Sequence, residues 1–244
     1  MNSGLYAACA GLVARSQALE VAAHNLANLN TSGYKAQLPT FRSVLAAASD
    51  GSQLNLINAA VNNFGVLSGS RADLSQGSLE PTGSDLDFAI QGDGWFEVQT
   101  GSGRLFTRNG NFHVDSNGHL VTGDGNVVAG AQGPITIPPG KLSVSSDGTI
   151  SVDGALAGQL TVVTFAPGTP LTPVGSSYFA AAAGSERPGS GRIVQGALEG
   201  SNVNAVMAAV SLVELQRRAD FLQQALTQFH TGFNRIAAED LARL

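Results

Sequence analysis

The chain has 244 residues, 13% of them charged, with 13 Lys and Arg against 18 Asp and Glu and a formal net charge of −5. That length can bury a core without staples, and an acidic balance with no basic cluster excludes a nucleic-acid-binding stripe. With 30 Gly and 11 Phe but 1 Trp, the composition is that of a β-rich filament or extracytoplasmic protein more than a compact metabolic enzyme, and the lone Cys9 rules out an internal disulfide.

The first element is a helix expected from about Asn2 to Leu29, capped by Asn2 or Ser3 and ended by the Asn and Gly of residues 28–33. Leu5, Leu12, Leu19 and Leu26 recur every seven residues along it, with small residues between them. Arg15 and Glu20 are its only formal charges besides His24, which suits a face meant for burial in partners. A cleavable secretory signal needs a basic start and then about 7 to 15 apolar residues. Here the first charge is Arg15, so no such signal is expected and Cys9 reads as a helix-face residue. No run approaches the roughly 20 apolar residues of a membrane span, so the protein is expected not to be membrane-inserted.

Residues 1–33 therefore form the expected N-terminal axial helix, and residues 34–80 an extended linker with one short helix among Gly-marked breaks. Residues 81–195 read as a β domain. Its first hairpin is placed at Gln91-Gly92-Asp93-Gly94, between the apolar runs of Phe88 and Ile90 and of Trp95, Phe96 and Val98. Asn109-Gly110 and Asn117-Gly118 are further turn dipeptides. A weak internal repeat links Phe112-x-Val114 before Asn117-Gly118 to Leu142-x-Val144 before Asp147-Gly148. Leu160 to Phe165 is the last clear strand.

Residues 196–244 return to helix, capped within Ser201 to Asn204 and running to about Leu241. Leu212, Leu215, Ala219, Leu222, Leu226, Phe229, Phe233 and Ile236 alternate steps of three and four, the spacing of a coiled-coil seam. Val203, Val206, Val210 and Val213 make a second stripe, and two stripes suggest contact with more than one neighbouring helix. The expected fold class is α+β: long terminal helices forming a coiled-coil-like core, with one inserted all-β, antiparallel, Gly-rich domain.

Catalytic and metal patterns are weak. His24, His113, His119 and His230 with Cys9 lack zinc spacing, and Asp115 to Gly118 is half a calcium loop without its closing Glu. Gly123-Asp124-Gly125 has no following Lys and helix for phosphate, and no serine sits in a G-x-S-x-G elbow. Asp85 and Asp87 are close in sequence but lie on one strand. Neither an enzyme nor a cofactor is expected; a β-rich surface binding module is the main rival to an assembly protein.

Residues 23–35, Ala-His-Asn-Leu-Ala-Asn-Leu-Asn-Thr-Ser-Gly-Tyr-Lys, resemble the N-terminal signature of bacterial flagellar rod and hook proteins, A-N-N-L-A-N-x-N-T-x-G-[FY]-K. Asn25, Leu26, Ala27, Asn28, Thr31, Gly33, Tyr34 and Lys35 carry the match. Three more pieces resemble the same family: Leu86 to Phe96, Phe106 to Gly110 with Gly118 to Val121, and Leu198 to Val203 leading into Leu212 to Arg217. The resemblance implies a structural subunit of the flagellar basal-body rod, the shaft that carries motor torque to hook and filament. It implies partners too: copies of itself, other proximal and distal rod subunits, and the flagellar type III apparatus that would export it to the periplasmic rod. Leu5, Leu12, Leu19 and Leu26 would then face Leu212, Leu215, Leu222, Leu226 and Phe229, within or between subunits. A single β domain favours a proximal-rod over a distal-rod subunit. Two departures stand out: His24 where the family has Asn, and Ala219 where it has an aromatic, with Phe delayed to position 221.

Overall fold

The computed structural model describes residues 3–43 and 65–241. Two helices appear among them, α1 (Ser3–Ala27) and α2 (Ala205–Leu241), with 19 strands between. The chain divides into a helical unit made of α1, the ribbon of strands Gln37–Ser43 and Gly65–Ala72 as far as Arg71, and α2, and a β unit made of residues 28–36 and 72–203.

The fold is thus strand-dominated, which corrects the expected class of long helices forming a coiled-coil-like core. Among the described side chains of α1 the buried ones are Ala14, Ala18 and Ala22, a step of four made of small side chains. Leu12, Leu19 and Leu26 are only half-buried. Coiled-coil knobs need bulky apolar residues at both seam positions, whereas here one of the two is Ala or Ser, so α1 lies on its neighbours through an alanine face. On α2 no described residue is buried. Asn204 caps α2, its side-chain oxygen accepting from Met207 N at 3.0 Å.

All recorded strand pairings are antiparallel, the largest set being a 10-stranded sheet. The hairpin expected at Gln91 to Gly94 does not form. Strand Phe88–Gln91 pairs with Arg192–Gln195, while Trp95–Thr100 pairs with Gly103–Thr107, Val127–Gly130 and Val162–Phe165. Phe88, Ala89, Ile90, Trp95, Phe96, Glu97 and Val98 are all buried. Strands buried on both faces need partners beyond each other, so the turn carries the chain from one sheet to the next.

The internal repeat is a repeat of geometry. In the first hairpin Asp115 N donates to His119 O at 2.9 Å and Gly118 N to Asp115 O at 3.0 Å. In the second Ser145 N donates to Thr149 O and Gly148 N to Ser145 O, both at 2.9 Å. Gly118 and Gly148 both sit at positive φ, 85° and 88°, where a side chain is disfavoured. Phe88, Phe96, Phe112, Leu120 and Ile150 centre the main core, each burial worth about 1.5 to 3 kcal/mol. The Phe96 and Phe112 rings meet edge-to-face at 5.2 Å. A second cluster places Trp95 edge-on to Phe179 at 5.0 Å.

Candidate functional site

In the β unit the two ends of the chain's middle region meet at Glu199, whose side chain is fully buried. Lys35 Nζ donates to Glu199 Oε1 at 2.6 Å and to Ser75 O at 2.6 Å. Arg108 Nη1 donates to Glu199 Oε2 at 3.0 Å, and Gly77 N to Glu199 Oε1 at 3.1 Å. Two cations thus share one carboxylate in a site closed to water, and backbone carbonyls supply the remaining negative potential. Arg108 also donates to Ile90 O and Gly92 O, and its guanidinium lies over Trp95 at 5.4 Å. Burial lowers the Lys35 ammonium from its ordinary value, with Glu199 acting against the shift.

The backbone joins at the same place. Gly33 N donates to Glu199 O at 2.7 Å, and Ala36 N donates to Asn202 Oδ1 at 2.7 Å. Asn202 Nδ2 in turn reaches Asp73 O at 2.9 Å and Ser75 O at 3.1 Å. One asparagine therefore stitches three stretches of chain together. Within the turn that leads in, Thr31 Oγ1 donates to Asn28 Oδ1 at 3.0 Å and Tyr34 N to Thr31 O at 3.2 Å.

Tyr34 is buried, and burial pushes its hydroxyl up to about 12. A pKa raised in the folded state above the unfolded value near 10 gives stability that is fully present below pH 10 and lost as pH rises through 12. Stability of the wild-type chain should accordingly fall across that window, and Tyr34→Phe should flatten the fall. Denaturation midpoints measured at steps of pH check this; an unchanged slope in the variant would remove Tyr34 as the cause.

The helical unit holds its own motif contact. Asn25 Nδ2 donates to Gln37 O at 2.8 Å and Gln37 N donates to Asn25 Oδ1 at 2.7 Å, a side chain imitating a strand partner. Of the predicted seam residues, Leu12, Leu19, Leu26, Leu212, Leu215 and Leu222 are half-buried. The side chains of Leu5, Leu226, Phe229, Phe233 and Ile236 lie outside the described residues. The outer face of α2 exposes Val206, Met207, Val210, Val213 and Phe221, at 49% to 71% of their surface.

Of the motif residues, Gly33, Tyr34 and Lys35 come together in the clasp, Asn28 and Thr31 build its turn, Asn25 holds the ribbon, and Leu26 and Ala27 stay on α1. Sequence reasoning did not single out Arg108, Glu199 or Asn202. Their signal was present: Lys35, Arg108 and Glu199 lie in three separately recognised pieces, and Asn202 shares the piece of Glu199.

A chain whose two terminal segments are tied at one buried point, and whose α2 carries exposed apolar residues, has the makings of a subunit built for assembly. Three family models match in chain order: flagella basal body rod protein over residues 5–35, the D1 domain of flagellar hook protein FlgE/F/G over residues 89–152, and the C-terminal region of flagellar basal body rod FlgEFG protein over residues 194–228. Flagellar basal-body rod protein FlgG of Bacillus subtilis is 33% identical, the match covering 89% of this chain and 91% of that one. Flagellar basal-body rod protein FlgF of Salmonella typhimurium is 35% identical over 93% of this chain and 94% of its own length, and that of Escherichia coli 32% identical over the same shares. The chain belongs to the flagellar basal-body rod protein family and is a structural subunit of that rod.

Proposed function

We propose that the protein is a proximal-rod subunit that assembles with copies of itself and with other rod subunits through its helical unit, after export in unfolded form through the flagellar type III apparatus. The observation that carries this reading is the outer face of α2. Val206, Val210 and Val213 repeat at helical spacing and are exposed with Met207, an apolar stripe of the kind that marks a protein interface. Its burial in a neighbour would offset the ordering of the helix that carries it. The chain's single β region supports the proximal position by resemblance. Heterologous contacts of this kind extend along an axis because they do not close on themselves.

Val210→Asp tests the reading. The residue is exposed in the subunit, so the variant's own thermal stability should change by no more than about 0.5 kcal/mol. Its incorporation into isolated basal bodies and the motility of its host should be lost. Normal incorporation and swimming would overturn the assignment of the stripe.

A further inference from the structure

The helical unit carries charge that its own folding does not use. Arg15 on α1 and Arg217, Arg218 and Glu214 on α2 line a notch of about 310 Å³ floored by Phe221 and Leu222. Arg218 is paired with Glu214 on the same helix. Arg15 and Arg217 have no ion pair among the described residues. The notch therefore joins two uncommitted guanidinium groups to an aromatic ring exposed at 71%. Phe221 is also the aromatic that stands two positions later than the family pattern places it.

The complementary surface lies on the same chain. The outer face of α1 runs through Val13, Gln17 and Glu20, steps of four and three that share one stripe. Val13 is exposed at 56%, and Glu20 is exposed with no ion pair among the described residues. Glu20 cannot serve the Arg15 of its own helix. Five residues apart, the two point about 140° away from each other at 3.6 residues per turn.

We infer that the notch receives the outer face of α1 from a second copy of this chain, with the neighbour's Glu20 carboxylate set between Arg15 and Arg217 and its Val13 against Phe221. This rests on the assembly reading above and names its charge pairing. The apolar stripe of α2 supplies area without register, whereas one carboxylate held by two guanidinium groups fixes the axial and rotational offset between copies. The outer face of α1 and the notch between α1 and α2 are different surfaces of one subunit, so the contact is heterologous and repeats from copy to copy.

A charge-reversal cycle in the full-length protein tests it, read as subunit incorporated per isolated basal body. Glu20→Arg and Arg217→Glu should each lower incorporation by about tenfold, and the combined chain should return to within about twofold of wild type, the non-additivity of a direct pair. Circular dichroism of each purified variant separates lost assembly from lost helix. As a second readout, Glu20→Cys with Arg217→Cys in a Cys9→Ser background should give disulfide-linked multimers in basal bodies. Two results would overturn the pairing: singles that incorporate normally, or a combined chain no better than its worse parent together with a cysteine pair that stays monomeric. If Val210→Asp abolishes incorporation while either result holds, the rod interface stands and only the charge pairing falls. If Val210→Asp incorporates normally, the assembly reading falls first.

Discussion

Glu199→Ala is expected to cost about 3 to 5 kcal/mol, the penalty for breaking a buried ion pair by removing one partner. The substitution leaves Lys35 and Arg108, whose side chains are 0% and 4% exposed, with no ion-pair partner among the described residues. It also orphans Gly77 N, which donates to the same carboxylate. Against a typical total of about 5 to 15 kcal/mol, such a loss brings the β unit to the edge of unfolding. Lys35→Met should be milder, because Arg108 and Glu199 remain as a matched pair. The ranking is the informative part, since a carboxylate shared by two cations matters more than either cation alone. Trp95 is the only tryptophan and lies under Arg108, so its fluorescence reports unfolding in urea where the substitution acts. A midpoint for Glu199→Ala equal to wild type, or above that of Lys35→Met, would mean that the clasp does not hold the β unit.

The sequence made the elements legible far better than the way they join. Period-two patterning located the strands around Phe88 and Trp95, and turn dipeptides located the hairpins at Gly118 and Gly148, because local geometry alone sets those turns. Pairing across Gln91 to Gly94 was misread, since a turn that joins two sheets has the same residues as one that joins two strands. The heptad leucines were visible, yet the alanines between them decide how α1 packs, and small residues carry little weight in an apolar count. The motif at residues 25–35 was readable as a signature, but its reason was not. Glu199 stands 164 residues from Lys35, and no local pattern announces which carboxylate a buried lysine will find. The clue was scarcity: with 13% charged residues, charges inside apolar, ordered motif segments are candidates for one another.

Gly33→Ala should be nearly as damaging as the loss of Glu199, through the backbone instead of charge. Gly33 sits at φ 69°, in the left-handed region where a side chain costs about 1 to 2 kcal/mol. Space is the larger obstacle. A Cβ at this position would stand 2.7 Å from Asn109 Cα, and closer still to the peptide joining Arg108 and Asn109. Those are backbone atoms of the segment that carries Arg108, so relief cannot come from a rotamer change. Either that segment moves and pulls the guanidinium from Glu199, or Gly33 moves and gives up its 2.7 Å hydrogen bond to Glu199 O. Overpacking of this kind costs about 1 to 3 kcal/mol, and with the strained φ the total is roughly 2 to 5 kcal/mol. Asn, which tolerates positive φ, distinguishes the two terms: Gly33→Asn relieves the dihedral but keeps the collision. If the collision dominates, Gly33→Asn destabilises as much as Gly33→Ala in the same Trp95-monitored titration. A Gly33→Asn midpoint restored to wild type would mean that the left-handed turn, and not the close approach of Asn109, is what the glycine provides.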